Sequence, residues 1–178
     1  SIMSEIIEDV KNNGDDALKK YSKKFDGAEL SCLEVSLEEI NEAFCSVEPE
    51  FIRILKDAAS NIRNFHQKQV KNSFIINEED GIVMGQKVIP IEKVGLYVPG
   101  GTASYPSTVL MDSIPAKIAG CKEVCITTPP NEQGKINPVI LAAAKIAGVD
   151  RIFKTGGAQA VAALAYGTET IPKVDKIV

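Results

Sequence analysis

From residue 93 onward, short apolar runs alternate with helical segments, and this alternation restricts the chain more than any other feature. Residues 94–98 form an apolar run closed by Pro99-Gly100-Gly101, and residues 123–128 form another closed by Pro129-Pro130. Residues 151–155 make a third run and 174–178 begin a fourth. Between them, 108–119 have helical spacing, with Pro115 expected to kink or restart the helix. Pro138 opens a second helix that stops at Gly148, and 158–166 form a third followed by Gly167. The order is β-α-β-α-β-α-β. Short apolar strands separated by helices predict a parallel sheet covered on both faces, because each crossover lays a helix on the sheet. The fold class is therefore α/β and Rossmann-like.

The first third reads as helices. Met3, Ile6, Ile7 and Val10 recur at helical spacing up to a stop at Gly14. Asp15 is placed to cap a second segment whose apolar side carries Leu18, Tyr21 and Phe25. Ser36-Leu37-Glu38-Glu39 is a capping-box sequence, followed by an apolar face of Leu37, Ile40 and Phe44. Pro49 suits the first turn of a longer helix with Phe51, Leu55, Ala58, Ile62, Phe65 and Gln69 on one face, running to about Val70. Phe74-Ile75-Ile76 and Ile82-Val83-Met84 flank Glu79-Asp80-Gly81, a hairpin signal, and 88–91 continue extended. The expected organisation is an N-terminal helical segment plus hairpin over 1–88, then the α/β domain over 89–178.

Composition narrows the function. The 178 residues carry a formal charge of −4 and no Lys/Arg stripe, which argues against nucleic acid or an anionic membrane as partner. No apolar stretch approaches the ~20 residues that span a bilayer, and no secretory leader pattern opens the sequence. Cys121 and Cys125 sit in a strand-like stretch, where four residues cover ~13 Å, beyond the ~7 Å limit for a disulfide. Reduced thiols in a cytoplasmic protein are expected.

In an open parallel sheet, ligands bind beyond the carboxyl ends of the strands. Gly95-Leu96-Tyr97-Val98-Pro99-Gly100-Gly101-Thr102 brings an aromatic hydroxyl and a double glycine to that rim. It reads either as a ligand turn or as a tight strand-to-helix turn with a core tyrosine. Thr127-Thr128-Pro129-Pro130 has hydroxyls but no charge and reads as structural. Thr155-Gly156-Gly157-Ala158-Gln159 opens a helix whose free N–H groups can hold an anion or carbonyl oxygen. There, glycines for packing and a solvent glutamine are the alternative reading. G-x-G-x-x-G and P-loop patterns are absent, and no acid ends the strand after the first turn to take a ribose hydroxyl. His66, the single histidine, falls on a helix face and suits packing or capping; one histidine without clustered cysteines makes no ordinary zinc site. The acidic pairs Glu38-Glu39 and Glu78-Glu79 read as a helix terminus and a turn.

Beyond these physical readings, the words themselves carry a resemblance. Val94-Gly-Leu-Tyr-Val-Pro-Gly-Gly-Thr102 with Tyr105-Pro-Ser-Thr-Val-Leu-Met111, and Pro115-Ala-Lys-Ile-Ala-Gly-Cys121, are similar to segments of histidinol dehydrogenases. So are Gly156-Gly-Ala-Gln-Ala-Val-Ala-Ala-Leu-Ala-Tyr-Gly-Thr168, Val174-Asp-Lys-Ile-Val178 and Ile62-Arg-Asn-Phe-His-Gln-Lys-Gln69. The likeness runs through almost the whole chain. It implies an NAD-dependent, zinc-requiring oxidation of L-histidinol to L-histidine in two steps through an aldehyde, in histidine biosynthesis, by a cytoplasmic homodimer. It implies NAD contacts at Tyr97 and Gln159, with Gly100, Gly101, Gly156 and Gly157 as further candidates. A third contact, an asparagine in a Gly-Pro-Gly-Asn turn, is expected just after Val178, so that these residues alone are expected to bind NAD weakly at best. Zinc ligands, catalytic residues and substrate-binding residues are all expected downstream of Val178, so none is assigned here, and turnover by these 178 residues alone is not expected. The remaining alternatives are a stand-alone domain that binds a nucleotide or small anion, and an assembly piece that supplies a dimer surface.

Overall fold

The computed structural model describes residues 1–100 and 105–178. Gly101 and Thr102 of the first glycine turn lie outside them. Four strands, β3 (Lys93–Tyr97), β4 (Glu123–Thr128), β5 (Arg151–Lys154) and β6 (Lys176–Ile177), form one all-parallel sheet in the spatial order β5-β4-β3-β6. The chain winds outward from β3 through α4 (Pro106–Ile118) and α5 (Pro138–Ala147). It then returns through α6 (Gly157–Tyr166) to add β6 on the opposite side of β3. That reversal places a topological switch point between β3 and β6, where open α/β sheets form their ligand crevice.

The two-residue side-chain period of a strand divides each face. Val94, Leu96, Val124, Ile126 and Ile152 enter one buried cluster with residues of α4 and α5, while Cys125 and Phe153 enter the other with Ala163 and Leu164 of α6. The N-terminal helices complete both layers. α1 (Ile2–Tyr21) packs on α6, whereas α2 (Leu37–Ser46) and α3 (Pro49–Gln67) pack on α5 and α4. Residues on either side of position 88 therefore share both cores. Gly95 explains how closely α6 approaches: a Cβ there would lie 2.8 Å from both Leu164 methyls. Residues 33–35 run along the free edge of β5, with Val35 N–H donating to Ile152 O at 2.9 Å and Lys154 N–H to Leu33 O at 2.7 Å. The Arg151 guanidinium donates to both Glu34 oxygens at 2.8 and 2.9 Å, clamping that segment.

Several local expectations change. Gly14 does break the helical path, with φ 50° and ψ −127°, yet the Asp15 side chain is not the cap of the next segment. Asp15 N–H donates to Glu169 Oε2 at 2.7 Å, and its carboxylate instead accepts from Thr170 N–H and hydroxyl, so the ends of two distant segments cap each other. After Tyr21 the helix widens into a π-helical turn, Ser22–Asp26, which rotates Phe25 out of the apolar stripe to 52% exposure. The Ser36–Glu39 capping box forms as expected, but Leu37 is 75% exposed rather than part of the apolar face. Phe65 is likewise exposed, and Ile52, Leu55 and Ala59 make the buried stripe of α3. α4 continues through Pro115 without interruption. Residues 88–91 belong to no strand. The hairpin of β1 (Phe74–Glu79) and β2 (Ile82–Gln86) is antiparallel, and all but one of its strand residues are exposed.

Candidate functional site

The carboxyl ends of β3, β4 and β5 meet at one rim. Tyr97 ends β3, and its hydroxyl accepts a hydrogen bond from Gly157 N–H at 3.3 Å, sixty residues later in the chain. Gly157 has φ +65°, the left-handed conformation that an L side chain resists, and it opens α6. Gln159, two residues on, is 3% exposed. Its amide folds back over Gly157, so that a Cβ on Gly157 would lie 2.8 Å from Gln159 Oε1. Among the described residues that amide has no side-chain hydrogen-bond partner, which leaves both a donor and an acceptor for a ligand.

Pro129, the residue after β4, is wedged between the two glycine turns. A Cβ on Gly156 would lie 2.7 to 3.0 Å from three ring carbons of Pro129, and one on Gly100 would collide with the same ring. Both glycines are therefore needed for close approach to a rigid wedge. The strand end that looked merely structural is what brings the other two together. Pro and Thr at a strand terminus signal a turn locally, but nothing in them encodes a contact with two remote glycines.

Around this rim lie two clefts. One, of about 460 Å³, is lined by Tyr97, Gly157 and Gln159 together with Met3, Phe25 and Asp26 from the N-terminal helix. The other, of about 750 Å³, lies between α2 and α5 and is lined by Pro130, Ile136, Leu141, Asn131 and Asn137 among others. Asp26, Gly100 and Pro129 border both, so the clefts adjoin. Beyond the Gly157 N–H held by Tyr97, the remaining first-turn N–H groups of α6 give the smaller cleft a positive pole suited to a phosphate.

The whole chain, residues 1–178, matches the family model described as histidinol dehydrogenase. The chain belongs to the histidinol dehydrogenase family. It is 58% identical over 173 residues to a histidinol dehydrogenase of Clostridium acetobutylicum, covering 97% of this chain and 40% of that protein. It is 57% identical over 175 residues to one from Methanocaldococcus jannaschii, covering 98% and 41%. A crystal structure of histidinol dehydrogenase from Elizabethkingia anophelis superposes with a TM-score of 0.94 at 48% identity, over 99% of this chain and 41% of that one. The chain thus spans about 40% of the length of these relatives.

Against this family background, the predicted contact residues Tyr97, Gln159, Gly100, Gly156 and Gly157 all line the smaller cleft. The solvent-glutamine alternative for Gln159 is corrected by its burial, at 3% exposure. His66 lies apart from the rim, its Nδ1 paired with Gln69 Oε1 at 2.6 Å at the end of α3. Cys121 and Cys125 are buried free thiols, and among the described residues no group of three or more His, Cys, Asp or Glu is arranged to hold a metal. The described residues therefore do not fit a zinc site, and no step through zinc is assigned to them. Sequence reasoning missed Asp26 and Phe25 at the rim. The π-helical turn that puts them there leaves no period in the sequence.

Proposed function

We propose that this chain is the NAD-holding part of a histidinol dehydrogenase, the enzyme that oxidises L-histidinol to L-histidine in two NAD-dependent steps via the aldehyde. In this reading Tyr97 and Gln159 bind NAD, with Gly100, Gly156 and Gly157 letting it approach the backbone. Gly101 is part of the same proposal but lies outside the described residues. The bound cofactor supplies the hydride acceptor; these residues hold and orient it. Residues 89–178 contribute the sheet and rim, and residues 1–88 the outer helices and hairpin. Zinc, the residues that move protons, and the groups that bind L-histidinol belong to the length that this chain does not share with its relatives. The working protein is a cytoplasmic homodimer.

The observation that carries this reading is the Tyr97 hydroxyl accepting from Gly157 N–H beside the amide of buried Gln159, which has no hydrogen-bond partner among the described residues, all at the carboxyl edge of a parallel sheet. Those groups fit a dinucleotide: a phosphate at the helix end, and amide and phenol groups around it. Calorimetric titration of the chain with NAD tests it. Tyr97→Ala and Gln159→Ala should each weaken binding by roughly tenfold, since a lost hydrogen bond plus the exposed partner removes about 1–2 kcal/mol. Unchanged affinity in both variants would remove the site. A mass-verified sample of these 178 residues should produce no NADH from L-histidinol, for want of a metal to position the alcohol and a base to take its proton. Steady NADH formation by that sample would contradict the division of labour.

A further inference from the structure

Nucleotide-binding α/β domains usually place an acid at the end of the second strand to accept the adenosine ribose hydroxyls. Here that strand is β4, and it ends in Thr127-Thr128-Pro129-Pro130, with no carboxylate. The rim nonetheless contains one, delivered by a different element. Asp26 is the last residue of the π-helical turn after α1, and the following Gly27 has φ +68°, which ends the turn and swings the chain away. Single π-turns within helices recur at functional sites because they redirect a side chain at some cost to the helix.

Asp26 stands where the two clefts adjoin. It is half-buried, and its one hydrogen bond among the described residues comes from the Ser22 hydroxyl to Oδ2 at 3.3 Å. Among those residues no Lys or Arg pairs with it, and burial pushes its carboxyl above the usual range. Glu39, the other partly buried acid bordering the larger cleft, is already engaged: it accepts from Lys154 at 2.7 Å and from Ser36 N–H at 3.0 Å. Asp26 is thus an under-used acceptor held in a partly desolvated position. On one side lies a cavity whose lining mixes Pro130, Ile136 and Leu141 with Asn131, Asn137 and Lys135, offering a flat base both apolar contact and hydrogen-bonding partners. On the other lies the N-terminal end of α6, suited to phosphate. A carboxylate between a base site and a phosphate site faces the position of a ribose.

We propose that Asp26 accepts the hydroxyls of the adenosine ribose, and that its charge excludes a 2′-phosphate, so that the chain selects NAD over NADP. The proposal rests on the dinucleotide reading and adds the residue that sets its specificity. An ionised acceptor for two hydroxyls is stronger than a neutral one, and a phosphate dianion brought against it is repelled.

The test titrates NAD and NADP against the wild-type chain, Asp26→Asn, Asp26→Ser and Gln159→Ala, with thermal melts to establish that each variant is folded. The wild type should prefer NAD by at least roughly tenfold, as expected for loss of a charge-assisted contact combined with repulsion. Asp26→Asn should weaken NAD by a similar factor and bring the two affinities close together. Asp26→Ser serves the same comparison should the asparagine variant not fold. Unchanged NAD affinity in a folded Asp26 variant, or a wild type that binds both cofactors equally, overturns the ribose assignment. If Gln159→Ala still weakens NAD in that case, the dinucleotide site itself stands. A wild-type chain that binds neither cofactor overturns both.

Discussion

Gly157→Ala probes the link between backbone strain and the candidate site. Residue 157 has φ +65°, and an L residue in the left-handed region costs about 1–2 kcal/mol. The new Cβ would also lie 2.8 Å from Gln159 Oε1 and 3.3 Å from Nε2. Both atoms are at the free end of a side chain, so the amide should swing aside at little cost in stability. The expected destabilisation is therefore about 1–2 kcal/mol, almost all of it backbone strain. For a protein of this size that lowers Tm by about 2–8 °C. The binding effect is separate: the displaced amide can no longer meet its ligand, and one lost hydrogen bond of about 0.5–1.5 kcal/mol weakens NAD by roughly 2- to 13-fold. Thermal unfolding followed by circular dichroism gives the first number, and calorimetric titration the second. In a Gln159→Ala background, Gly157→Ala should still lower Tm but cost less further NAD affinity than it does in the wild type, because part of its effect is the contact that Gln159→Ala has already removed. Full additivity of the two affinity losses would refute the coupling, and an unchanged Tm would refute the strain.

Other expectations follow from charge and burial. Lys20 Nζ and Asn13 Nδ2 each donate to the Asp9 carboxylate at 2.7 Å and hold it down at about 2. Because the folded value lies below the ordinary 3.8, this carboxylate stabilises the fold above about pH 4 and loses that contribution as pH falls through about 2. Asp9→Asn should flatten the acid limb of a urea-midpoint profile between those values; an unaltered limb would dismiss the pairing. Among the thiols, Cys32 and Cys45 are exposed, while burial pushes both Cys121 and Cys125 up, the latter reinforced by Glu123 at 3.2 Å. A disulfide reagent at pH 8 should label the first pair quickly and the second only after denaturant; four fast thiols in the native chain would contradict the packing on both sheet faces.

The sequence by itself determined the elements and most of their ends. Strand and helix periods are local, so Val94, Leu96, Val124 and Ile126 announced buried strands, and Ser36 with Glu39 announced a capped helix. Glycine, too, speaks locally: Gly14, Gly148 and Gly157 marked places where the backbone turns left-handed or breaks. The double-glycine turns therefore advertised a rim, and the family's recurring words supplied Tyr97 and Gln159. Only the tertiary structure decided that the two turns share one wedge, because Pro129 touches Gly100 and Gly156 across long stretches of chain. It also decided the strand order β5-β4-β3-β6, which depends on the side to which α6 carries the chain, and no pattern within α6 encodes that choice. Asp26 is the sharpest case. Its helical neighbours predict a face, but the π-turn changes that face, and the cleft it borders is built from residues about 70 to 130 positions later. Local periods report what a segment buries; they carry no information about which remote segment it is buried against.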